Sequence, residues 1–182
     1  LNDGLNNSSK LTFNYADEVR GEIEIDSDNN IVVGTCTRSK DFPTLKPIQP
    51  DLSSGLEGCI FKLDRHLSNI IWSTYFGGSG DDCIYSVDFN RNNDIVFGGG
   101  TTSPDLNTTP SAFQQSYNSS NALSSDGFIT TIDNNADSIF FSTYFGTDSY
   151  DQVFFIDVSK NDQVHVLGQT NDTNNFFIKN ST

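Results

Sequence analysis

The sequence predicts an all-β protein made of repeated four-stranded antiparallel units, and three observations carry that expectation. The apolar content is 35% of 182 residues and is concentrated in Phe, Ile, Val, Leu and Tyr, with no Met. Such β-branched and aromatic side chains suit a pleated surface. Clusters of Asn, Asp, Ser and Gly separate the apolar runs, which is turn chemistry. Third, Trp72-Ser73-Thr74-Tyr75-Phe76-Gly77 returns 69 residues later as Phe141-Ser142-Thr143-Tyr144-Phe145-Gly146. The same offset carries Val87-Asp88-Phe89 onto Ile156-Asp157-Val158 and Gly58-Cys59-Ile60 onto Gly127-Phe128-Ile129, while Ile31-Val32-Val33-Gly34 maps onto Ile95-Val96-Phe97-Gly98 at an offset of 64. Ordered matches at this period indicate a propeller or solenoid.

Taken in order, residues 1–10 read as a flexible lead-in, and Leu11–Tyr15 reads as a fourth strand preceding the first complete unit. Each unit then opens on a strand at Val19–Ile25, Cys83–Phe89 or Gln152–Val158. An Asx-rich turn such as Asp26-Ser27-Asp28-Asn29 or Asn90-Arg91-Asn92-Asn93 reverses the chain, as hairpins require. Second strands follow at Ile31–Thr35, Ile95–Gly99 and Val164–Gly168, with a glycine late in each. Third strands fall at Cys59–Leu63, Phe128–Ile132 and Phe177–Lys179, and fourth strands at Ile70–Phe76 and Ile139–Phe145. The units span 11–82, 83–151 and a truncated 152–182.

Four antiparallel strands per repeat make a β-propeller blade. The run Ser-Thr-Tyr-Phe-Gly-Gly-Ser-Gly-Asp-Asp at 73–82, the Thr-x-Ser-x-Asp patterns at 37–41 and 101–105, and Gly-Phe-Ile at 127–129 resemble the SBBP β-propeller repeat. The resemblance implies a propeller within large bacterial surface or exported proteins, and it supplies no catalytic residues. The strands amount to about three blades, fewer than the ~4–8 of ordinary rings. The expected partners are therefore the remaining blades of a longer propeller or a second copy of the chain. A small closed barrel or stacked array is the remaining alternative.

A net charge of −14 opposes nucleic-acid binding and docking on anionic lipid, and no apolar run is long enough to span a membrane. The opening Leu1-Asn2-Asp3-Gly4 reads as that of a mature or excised segment of a secreted protein. Asp17, Glu18, Asp81, Asp82, Asp148 and Asp151 lie in the turns between units, where gathered carboxylates could hold calcium. Asp26, Asp28 and Asn30 echo the start of a calcium loop without its glycine and closing glutamate, and ordinary Asx turns explain them better.

Cys36 and Cys59, at facing ends of neighbouring strands, are a possible disulfide, and Cys83 reads as a small buried hydrophobe. His66 belongs to a turn and His165 to a packed strand. Trp72, Tyr75, Phe76, Tyr144 and Phe145 read as packing between blades, and repetition accounts for Ser73 and Ser142 better than nucleophilicity. The long loops Arg38–Glu57 and Thr102–Asp126 either bind a ligand or cover blade edges. The expected function is a non-enzymatic scaffold or adhesion module contacting a surface glycan or protein. The alternatives are a polysaccharide hydrolase or lyase using Asp81 and Asp148, and a calcium-binding spacer.

Overall fold

A computed structural model describes residues 21–53, 55–118 and 124–173, and these are all-β, with no helix among them. The lead-in, Leu11–Tyr15 and Phe177–Lys179 lie outside the described residues. Ten strands run in chain order: β1 Glu22–Ile25, β2 Ile31–Thr37, β3 Glu57–Leu63, β4 Ile70–Phe76, β5 Asp82–Phe89, β6 Ile95–Thr101, β7 Asp126–Ile132, β8 Ile139–Phe145, β9 Asp151–Val158 and β10 Val164–Thr170. They form three open antiparallel sheets in sequence order, β1-β2-β3-β4, β5-β6-β7-β8 and the pair β9-β10. The ends at Phe76, Phe89, Phe145 and Val158 coincide with the expected ones. Second and third strands run two residues further at their loop ends, because the long loops extend the ladder before they leave it.

The hairpins close by one device. The carboxylate of Asp26 accepts the amides of Asp28 and Asn30, Asn90 caps Asn92 and Asp94, and Ser159 caps Asn161 and Gln163. Asp64 and Asp133 do the same between third and fourth strands. Residues with left-handed φ complete each reversal, and Asn29, Asn93 and Asp162 are of the types that tolerate it. The ladder slips at corresponding places: Tyr85 and Phe154 are extra residues in β5 and β9.

The sheets stack face to face, and the same seam is made twice. In the first, Gly34 receives Ile84 and Val87, such that a Cβ on Gly34 would stand 2.5 Å from a Val87 methyl. In the second, Gly98 receives Val153 and Ile156, with a Cβ there only 2.7 Å from Ile156. Polar bonds follow the same plan. Glu22 accepts from the Ser86 hydroxyl (2.5 Å) and the Val87 amide (2.8 Å), and the Ser86 hydroxyl in turn accepts the Ile156 amide (2.8 Å). β5 and β9 are edge strands, so alternate amides, those of Val87 and Ile156 among them, face away from their own ladder, and side chains of the neighbouring sheet bond them.

The main core lies in the first seam: Val32, Ile60, Trp72 and Phe76 of one sheet meet Ile84, Val87, Phe97 and Phe128 of the next. Trp72, Phe76 and Tyr144 pack here as expected, whereas Tyr75 is buried on the opposite face against Phe42. At the hairpin end, a buried salt bridge of 2.6 Å joins Lys62 to Asp26. Lys62 also donates to the Asn134 side chain (2.7 Å), and the Trp72 indole donates to the Asn134 carbonyl (2.9 Å). Burial works against the charge of Asp26, but Lys62 and Asn30 hold its carboxyl below the usual range.

If the seam is built on bare glycine, Gly34→Val and Gly98→Val should each lower unfolding free energy by about 1–3 kcal/mol, the usual cost of overpacking. Urea denaturation checks this, and unchanged midpoints for both would contradict the stacking.

Candidate functional site

The long loops are pinned to the outer strands by a repeated polar box. Gln49 donates to Glu57 Oε1 (2.7 Å) while its carbonyl accepts the Gly77 amide (3.0 Å), and the Ser53 amide donates to Glu57 Oε2 (3.0 Å). In the next unit Gln114 donates to Asp126 Oδ2 (2.9 Å) and accepts the Gly146 amide (3.0 Å), and the Asn118 amide completes the set (3.0 Å). Backbone bonds then lay each loop along an edge strand, Leu45 and Gln49 on β4, Thr109 and Gln114 on β8. The loops thus cover sheet edges that would otherwise stand open. Ser73 and Ser142 serve this packing: Ser73 Oγ donates to the Pro43 carbonyl, and Ser142 Oγ bonds Thr130 (3.0 Å).

Beside each box stands a second buried acid. Asp82 accepts from Thr101 (2.5 Å), Ser103 (2.8 Å) and the Gly78 amide (2.9 Å), and Asp151 accepts from the Thr147 amide (2.6 Å) and hydroxyl (2.7 Å). Glu57 and Asp82 crowd the space beside Gly77, and Asp126 does so beside Gly146. Asp126 Oδ1 and Asp151 Oδ1 are buried without a hydrogen-bond partner. Asp126 is one methylene shorter than Glu57, which takes hydrogen bonds on both of its oxygens. Burial pushes the Asp82 carboxyl up to about 7, against donation from Thr101, Gly78 and Ser103 and with Glu57 adding repulsion. Burial likewise pushes Asp126 up to about 7, with Asp151 adding to it. Glu57, Asp82, Asp126 and Asp151 are all buried.

Among the described residues no three acids, histidines or cysteines form a metal-binding group. Asp26 is occupied by its turn, Asn30 and Lys62. Asp28 is exposed, and Asn30 serves the same turn. Asp82 and Asp151 are buried, whereas Asp81 is half-buried and Asp148 exposed, since neither occupies the other's place in its unit. Asp17 and Glu18 lie outside the described residues.

The register corrects the expected Cys36–Cys59 pair. Cys36 faces Gly58 and Cys59 faces Thr35, so the two side chains leave the sheet on opposite faces. Cys36 instead hydrogen-bonds Cys83 across the first seam, and all three thiols are free and buried. Burial pushes the Cys59 thiol up to about 12, and burial together with Cys36 raises Cys83 well above its usual value. His165 is also corrected: it is exposed on the outer face of the third sheet, at a place where Val96 is covered in the second. His66 lies in an exposed turn, as expected.

The accessible feature these elements build is a cleft of about 730 Å³ lined by Lys46, Pro47, Ile48 and Asn107 from the two long loops and by 136–139 from the β7–β8 hairpin. Lys46 stands on its rim at φ 49°, a conformation held by its surroundings because a non-glycine residue disfavours it. The sequence carries a signal for the boxes: Glu57 and Asp126 stand 69 residues apart, like the apolar motif, and Gln49 and Gln114 stand 65 apart. Compared with known protein families and with curated proteins, the chain matches none.

Two outcomes are expected. Asp82 and Asp126 bind protons near pH 7 when folded and near 4 when unfolded, so the folded state holds more protons between those values. Their stabilising effect is complete below about pH 4 and lost as pH rises through about 7. The thermal midpoint should therefore rise as pH falls from 8 to 5, and Asp126→Asn should flatten that slope while adding about 1–3 kcal/mol at pH 8. For the thiols, alkylation followed by mass spectrometry should find three reactive cysteines in denaturant and none in native protein. Refolding in the presence of glutathione disulfide, which takes up the two electrons and two protons of any new bond, should place a bridge at Cys36–Cys83 rather than at Cys36–Cys59.

Proposed function

We propose that this chain is a non-enzymatic scaffold of β-propeller blades, of the SBBP-like kind, that displays two rigid loops to a surface glycan or protein ligand outside the cell. The observation that carries the reading is the convergence of both long loops on one cleft, each loop fixed by the same glutamine–acid box. Rigid loops lose little conformational entropy on binding, so a few contacts suffice for recognition. The cleft offers a cation at Lys46, an anion at Asp137 and amide donors and acceptors at Asn107. Such groups suit a hydroxyl-rich or peptide partner. The acids with the most displaced proton affinity are sealed in packing, which favours a structural use over hydrolysis. The extracellular setting rests on the family resemblance, and the strongly acidic surface is compatible with it.

Immobilised protein should retain particular members of a panel of surface polysaccharides and extracellular proteins. Lys46→Ala or Asp137→Ala should weaken that retention tenfold or more, and Asp148→Asn should leave it unchanged. Release of reducing ends from a polysaccharide, abolished by Asp81→Asn or Asp148→Asn, would overturn the reading in favour of a hydrolase.

A further inference from the structure

In each seam the leading sheet contributes two things. A bare glycine receives a pair of aliphatic side chains, and a side-chain oxygen accepts an outward-facing amide of the next sheet's edge strand. In the first sheet these are Gly34 and Glu22, which face each other across β1 and β2. In the second they are Gly98 and Ser86, cross-strand partners in β6 and β5. The partners in the same place of the third sheet are Leu167 and Phe155. Both side chains lie on its outer face, 63% and 40% exposed. A leucine fills the space that must be empty, since even a Cβ on Gly34 would strike Val87. Phenylalanine offers no acceptor for such an amide, and of the acceptors the second sheet uses the third keeps only Asp157, in the place of Asp88, which accepts the Val158 amide.

The opposite end of the stack is made differently. Ile23 corresponds to Val87 and Ile156, the residues that enter the glycine sites, and Ile25 corresponds to Phe89 and Val158, which pack in the seams. Among the described residues nothing covers them on the first sheet, and they are 65% and 61% exposed.

We infer that the stack is directional: the outer face of the first sheet, carrying Ile23 and Ile25, docks one further repeat unit of this design, a sheet that pairs a glycine with a side-chain oxygen acceptor, and the outer face of the third sheet takes no such unit. The occupant follows from continuity with the two seams already made. The inference rests on the repeat-scaffold reading and narrows it, because a head-to-tail pair of identical chains would set Leu167 and Phe155 against Ile23.

The test gives the third sheet what it lacks. Mass by light scattering during size exclusion should be higher for the folded double variant Phe155→Ser, Leu167→Gly than for the wild type at equal concentration. Adding Ile23→Glu should return it to the wild-type value. Circular dichroism establishes that each variant keeps its β-structure, and Leu167→Gly alone serves if the double variant does not. No gain in mass by a folded variant overturns the inference. So does wild-type association that is lost on either Ile23→Glu or Leu167→Glu. The repeat reading fails by a separate measurement, if Gly34→Val and Gly98→Val leave stability unchanged.

Discussion

Everything in this molecule is organised around the space left by a missing side chain at Gly34 and Gly98. Because nothing projects there, an isoleucine and a valine of the next sheet, or their exchanged counterparts, close against bare backbone. The approach brings the strands near enough for a second bond, from an outward-facing amide of the edge strand to a side chain across the seam. Hydrophobic contact and polar satisfaction are thus one geometry, and neither survives without the other. A buried amide with no acceptor costs about 1–3 kcal/mol, comparable to what the nested side chains contribute.

Burial of charge follows a similar economy. The molecule hides Glu57, Asp82, Asp126 and Asp151 at one end of its sheets and Asp26 at the other. At the hairpin end the cation of Lys62 makes the charge tolerable. At the loop end, amides and hydroxyls do that work, and for Asp82 and Asp126 burial outweighs them, so that the neutral acid is favoured. The reward is positional: those acids tie the long loops to β4 and β8, and the loops in turn shape the cleft around Lys46.

Much of this was legible in the residues. The alternation of Ile31–Gly34 and Ile95–Gly98, and the doubled Ser-Thr-Tyr-Phe-Gly run, place strands and hairpins correctly, because strand period and turn chemistry are local properties. Legibility ended where facing depends on register. Cys36 and Cys59 are neighbours along the strands, yet a one-residue stagger sends them to opposite faces. The acidic turns looked like a cation site because sequence gives no depth, and depth divides Asp82 from Asp81. His165 misleads for the opposite reason: its strand is regular, but no described sheet covers its face.

The self-capped hairpins have a consequence for how a chain with nearly duplicate strands finds its own partners. β4 and β8 carry almost the same residues, so β3 could in principle pair with either. The Asp64 turn closes a six-residue connection to β4, whereas reaching β8 would close one of 75 residues. Loop-closure entropy alone separates these choices by about 2 kcal/mol, before any side chain packs. Short self-capped turns therefore favour pairing of each strand with the copy of the motif nearest in the chain.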